Sequence, residues 1–336
     1  MFFLFFTILF SLYLPLILSI AHFLMINRRH IRIKTMQSFY ALLQSKSDNL
    51  IKEEKFLYFG IDKLHDLYAL QLILFVEVQQ LAKKRLAISK KNRVASIENE
   101  QALNNLSNNQ FLQIIDESIS LKEYLDLKKI ENWKDATEYI QIILDKIKES
   151  DYFLSYNEIN KPSFNDDKKF VVDVFKKIIA PNSKLEDYYE DQYIGWVDDI
   201  PFINTLIVKN FNKINKDGVF IFGDLYKDSD DKDFVKELFR KVSLHHSEFN
   251  KEIDSKTPNW DYDRIAEIDL ILIKMALTEF IYFPSIPTKV TINEYLEIAK
   301  DYSSEKSSFF INGVLDKIEK EFKENKKIVK IGRGLI

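Results

Sequence analysis

Two runs of residues in this chain could do chemistry on a ligand. The first, RRHIRIKTMQSFYALLQ (residues 28–44), places Arg28, Arg29, His30 and Arg32 within five positions and carries no acidic side chain. Ile33, Met36, Tyr40 and Leu43 recur at helical spacing, so Arg28 and Arg32, four apart, share a flank at the N-terminal end of a helix. A basic cluster at a helix start favours phosphate. The second run, SSFFINGVLDKIEK (residues 307–320), opens on two adjacent rings. On a wheel of about 100° per residue the core stripe centres on Ile311, Leu315 and Ile318. Phe310 then lies about 100° to one side and Phe309 nearly opposite. A ring off the stripe is either covered by a neighbouring segment or offered to a partner. Offered, it is a stacking platform for an unpaired base, as in single-stranded RNA recognition.

The elements that position these runs are expected to be helices. The chain has 336 residues, 46% hydrophobic and 29% charged, and only 7 Gly and 7 Pro. So few turn formers argue against a many-stranded sheet protein and against Gly-rich phosphate loops. Long stretches of Leu, Ile, Lys and Glu favour an all-α fold. Cysteine is absent, which removes disulfides and thiolate metal sites. His245 and His246, neighbours on a helix, make a poor chelate, so no metal or cofactor is expected. A net charge of −3 excludes a globally basic nucleic-acid binder but not a local basic patch.

Residues 1–24 hold no Lys, Arg, Asp or Glu and are long enough to span a bilayer. They lack the basic start and cleavage motif of a signal peptide. Two readings are open: an N-terminal anchor, with Arg28 and Arg29 keeping the remainder cytoplasmic, or translation that begins at Met25. The second is preferred, and with it a cytoplasmic protein without a membrane role. Further on, helices are expected over residues 61–87, 111–127, 133–148 and 264–281, and residues 99–110 read as a loop. Thr291 and Glu294 match a capping box. A repeat with an offset of 64 residues superposes Phe175 on Phe239, Trp196 on Trp260 and Leu206 on Leu270. The acidic clusters at Asp198–Asp199 and residues 228–233 do not make a calcium loop, lacking its Gly and terminal Glu.

The run DRIAEIDLILIKMALTEF, followed by IPTKVTINEYLEIAKDYSSEKSSFFINGVLDKI, resembles the NusB family of transcription antitermination factors. The family shows an Asp-containing apolar helix ending near Ala-Leu-x-Glu, a Val-x-Ile-Asn-Glu helix start and a Phe-Val-Asn-Gly-Val-Leu-Asp helix. Its arginine-rich first helix is matched here by Arg28, Arg29, Arg32, Gln37 and Tyr40, which is why Met25 resembles the start. The resemblance implies a two-bundle all-α domain without catalysis. It implies partnership with the ribosomal protein NusE, binding to boxA-like single-stranded RNA of nascent ribosomal transcripts, and a place in the RNA polymerase antitermination complex and in ribosome maturation. Carried over, the RNA-binding set is Arg28, Arg29, His30, Arg32, Tyr40, Asp269 and Phe310, with His30 replacing a basic position of some relatives. Tyr40 can equally be core, and Asp269 can instead pair with an arginine. The expected layout is a first helix at 25–46, a helical insertion at 47–225 with a repeat unit at 170–208, a NusB-like core at 226–322 and a basic tail at 323–336. A rival reading is a protein-interaction scaffold that has lost RNA binding. A cytosine methyltransferase is excluded by the missing cysteine and nucleotide-binding domain.

Overall fold

The computed structural model describes residues 22–23, 26–92, 103–216, 218–257 and 265–335. The Met25 start, most of the apolar segment before it and Trp260 lie outside those residues. The protein is all-α. A two-residue parallel pairing, β1 (His22–Phe23) with β2 (Ile221–Phe222), is the only strand contact among the described residues. The helices are α1 (Arg28–Ser45), α2 (Leu50–Asn92), α3 (Gln110–Asp116), α4 (Ile119–Lys128) and α5 (Asn132–Asp135). They continue with α6 (Thr137–Lys148), α7 (Asp151–Asn157), α8 (Phe164–Val174), α9 (Ser183–Gln192) and α10 (Ile200–Lys213). The chain closes with α11 (Ser229–His245), α12 (Asn250–Lys256), α13 (Glu267–Tyr282), α14 (Thr288–Tyr302) and α15 (Ser307–Glu324). Among the described residues no helix is long and apolar enough to cross a membrane.

The chain divides into two compact units, one over residues 62–225 and one built from residues 26–61 and 226–336. Residues 47–61, expected within the insertion, therefore cluster with the second unit. The reason is physical: Leu57 and Ile61 are buried, and Glu54 grips the Arg240 fork at 2.5 and 3.2 Å.

In the first unit α2 is the hub. Phe75 packs with Phe175 and Phe211, and Phe111 meets Phe211 edge-on at 5.1 Å. Two tryptophans donate to carbonyls of α2, Trp133 to Leu70 (2.9 Å) and Trp196 to Lys63 (2.7 Å), so each indole is buried without stranding its N–H. The helix expected over 111–127 is two helices, because the Ser118 hydroxyl accepts the Leu121 N–H and starts α4. The 133–148 helix is likewise divided, at Ala136. Residues 103–107 are helical rather than loop, and Asn109 caps α3 by accepting from Leu112 at 3.0 Å. The two halves of the 64-residue offset share an element order: α8, α9 and α10 in one, α11, α12 and α13 in the other, with Phe175 and Phe239 both fully buried.

His65 makes this unit sensitive to acid. Its ring stacks on Phe222 (4.5 Å), and its Nε2–H donates to the Gly223 carbonyl at 3.1 Å. Burial pushes its pKa down to about 4. The unfolded chain takes up this proton near the ordinary value of 6.5, so the contribution is complete above that pH and is lost as pH falls towards 4. After discounting for partial exposure it is about 2 kcal/mol. The urea midpoint of wild type should fall between pH 7 and pH 4.5 by more than that of His65→Gln. Equal falls would show that the ring is not the acid-sensitive group.

In the second unit α13 is apolar around almost its whole circumference, with Leu272, Met275, Ala276 and Phe280 fully buried. A helix of that kind must be surrounded, and α1, α11, α14 and α15 surround it. Its amphipathic neighbours each turn one stripe inward, as in Ile311, Leu315 and Ile318 of α15. The capping box at Thr291 and Glu294 is not one: α14 already begins at Thr288, after Pro287. Both residues serve long-range contacts instead.

Candidate nucleic-acid interface

Asn27 starts α1, its Oδ1 accepting the His30 N–H at 2.7 Å. That cap sets Arg28 and Arg29 on the first turn, at the positive end of the helix dipole. They line a groove of about 670 Å³ whose opposite wall includes Ile286, Pro287 and Val290. Arg28 and Arg29 keep 40% and 43% of their side chains exposed. Neither is bare of acid. Arg28 Nε donates to Asp231 at 2.7 Å, and Arg29 forks onto Glu294 at 3.0 and 2.9 Å. The hydrogen bond from Arg29 holds the Glu294 carboxyl below its usual range, and Glu294 in turn raises Arg29. Two positive, partly exposed guanidinium groups above an apolar wall can take a phosphate with its sugar or base.

Arg32 is different. Its side chain is 3% exposed and forks onto the fully buried Glu279 at 2.6 and 2.9 Å. Tyr295 donates to the same carboxylate at 2.7 Å and Thr291 at 3.1 Å. Burial alone would lower the Arg32 pKa, but the Glu279 charge overrides it and holds it above the ordinary value. The guanidinium also faces the Phe234 and Tyr295 rings at 5.2 and 5.7 Å. Arg32 borders the same groove as Arg28 and Arg29, but its fork is spent on Glu279, so it fastens α1 to α13. His30, 4% exposed, is likewise turned inward.

The remaining candidates gather towards the other end of α13, about 15 Å from Glu279 by helix rise. Asp269, 5% exposed, accepts from Ser303 at 2.5 Å, and Ser303 in turn accepts from the Ser307 hydroxyl at 2.9 Å. This chain ties the start of α13 to the end of α14 and the first residue of α15. Asp269 therefore pairs with a serine, not with an arginine. Phe310 is half-buried, whereas Phe309 is 81% exposed. Tyr40 is 38% exposed and lies one turn before Gln44, whose amide donates to Glu267 at 2.7 and 2.6 Å. The candidates thus form two clusters, Arg28 and Arg29 at one end of α13 and Tyr40, Asp269 and Phe310 towards the other.

Sequence reasoning missed Glu279 and Lys330. Glu279 stands near the end of a predominantly apolar, buried helix, and a carboxylate there requires a buried cation, which was a readable signal. Lys330 gave none. It belongs to the expected basic tail, yet its Nζ donates to the carbonyls of Glu279 (3.2 Å) and Phe283 (2.9 Å), capping the C-terminus of α13. Burial lowers its pKa to about 8. Gly334 completes the docking, because a Cβ there would sit 2.0 Å from the Pro284 carbonyl.

The NusB family matches residues 205–320, which include α13, α14 and most of α15. The transcription antitermination protein NusB of Salinibacter ruber is 40% identical over 112 residues, 33% of this chain and 70% of that protein. That of Chloroherpeton thalassium is 39% identical over 113 residues, 34% of this chain and 54% of that protein. That of Methylacidiphilum infernorum is 37% identical over 94 residues, 28% and 66% respectively. The matches thus span from about half to seven-tenths of these relatives' own length. No solved structure gives a significant match. The first-helix arginines lie outside the matched family region, and the helices that hold Asp269, Glu279, Glu294 and Phe310 lie within it. On these helices, and on the similarity to the Salinibacter protein, the chain belongs to the NusB family.

Proposed function

We propose that the protein is a non-catalytic, RNA-binding transcription antitermination factor. In this reading it acts in the cytoplasm with ribosomal protein NusE on boxA-like segments of nascent ribosomal RNA, within the polymerase antitermination complex, and supports ribosome maturation. The observation that carries the reading is the groove at the start of α1, where exposed parts of Arg28 and Arg29 face an apolar wall. Phosphate is held there, while Tyr40 and Phe310 offer faces to unpaired bases. Asp269 positions the start of α15 through Ser303. A strand crossing from one cluster to the other covers about 15 Å of α13, a few nucleotides. The similarity to the three transcription antitermination proteins supports the same role.

Fluorescence anisotropy tests the reading. The protein is titrated onto labelled boxA-like RNA and a scrambled control, with and without NusE. Selective binding that tightens with NusE is expected. No selectivity in either condition would favour the scaffold reading, which one observation supports: each arginine of the cluster already has a carboxylate partner.

A further inference from the structure

We propose that Phe309 and the bare backbone at Gly313 form a second base-stacking shelf, carrying single-stranded RNA beyond Phe310 along the outer face of α15. This rests on the RNA-binding reading above and extends its surface. Phe309 is 81% exposed, more than any other large apolar side chain among the described residues. Exposure of one ring means little by itself. The residue one turn later in the helix makes the difference. Side chains on a helix lean towards its N-terminus, so the residue at i+4 is the one that would close over ring 309. That residue is Gly313, exposed, with nothing within 4 Å of where a Cβ would stand.

No packing contact therefore requires a glycine there, yet glycine is among the poorest residues for a helix interior. Its effect is to leave one side of the Phe309 ring open to a flat partner. The same exposed face carries Lys306 one turn before the ring and Lys317 and Lys320 after it. Their spacing suits a phosphate backbone running beside a stacked base. Asp316 shares the face, its carboxylate accepting from the Asn312 amide at 3.2 Å, so attraction at this shelf is dominated by stacking and only helped by charge. A base fits a planar ring beside an open backbone better than a bulky protein side chain does, because every base presents a π-face.

The test uses the full chain and labelled single-stranded boxA-like RNA, with Phe309→Ala, Gly313→Leu and Arg28→Glu/Arg29→Glu compared at several salt concentrations. Phe309→Ala is expected to weaken binding roughly fivefold to a hundredfold, with melting temperature and salt slope unchanged. Gly313→Leu, which fills the shelf while improving helix propensity, should weaken binding with the melting temperature unchanged or raised. If both variants bind as wild type does while the arginine variant loses binding, the shelf is refuted and the RNA reading stands. If wild type itself shows no RNA affinity, both fall. A lower melting temperature for Phe309→Ala, or loss of NusE affinity alone, also refutes the shelf: the ring is then packing or a protein contact.

Discussion

Replacing Arg32 with alanine is expected to destabilise the unit of residues 26–61 and 226–336 by about 3–5 kcal/mol. The substitution leaves the Glu279 carboxylate fully buried, with only the Tyr295 and Thr291 hydroxyls to satisfy it. Those two neutral donors do not replace a bidentate guanidinium at 2.6 and 2.9 Å. Arg32→Lys should recover only part of the loss, because one ammonium cannot reproduce the fork. Arg32→Met combined with Glu279→Gln should recover more than half, since Gln keeps an acceptor for the hydroxyls and no charge is stranded. Chemical denaturation of the four proteins decides the matter. A stable Arg32→Ala protein that binds RNA poorly would make Arg32 an RNA contact rather than a fastener.

How much of this was legible in the sequence differs from residue to residue. The all-α fold was, because α13 and α15 carry their burial in their own periodicity. Phe309 and Phe310 were placed correctly on the wheel, one outward and one to the side, since that depends only on the spacing of Ile311, Leu315 and Ile318. Arg32 was not, because its partner Glu279 is 247 positions away and a wheel knows nothing of it. Thr291 and Glu294 show the same limit from the opposite side. Their spacing satisfies a local rule, but Thr291 donates to Glu279 and Glu294 holds Arg29. A residue pair can obey a short-range pattern while a long-range contact decides its use. Lys330 was illegible for a related reason: a lysine in a polar tail has no local mark that distinguishes a helix cap from a solvated charge.

Reversing the charge of Arg28 and Arg29 together should lower affinity for single-stranded RNA roughly ten- to a hundredfold at low salt. With two phosphate contacts gone, the slope of log K against log salt should become shallower by about 1.4. Loss of affinity alone could come from a damaged α1, so a variant of opposite sign is needed. Glu294→Gln removes the carboxylate that holds the Arg29 fork and lowers the negative charge at the groove. The ion pair is partly exposed, so the change should cost less than about 1 kcal/mol of stability. It should nevertheless raise RNA affinity a few-fold at low salt, with the gain fading as salt screens the groove. Misfolding cannot produce a gain of that kind. If Glu294→Gln leaves RNA affinity unchanged at every salt concentration, the arginine groove is not where phosphate is held. The three arginine–carboxylate pairs would then be structural fasteners, and the scaffold reading would gain.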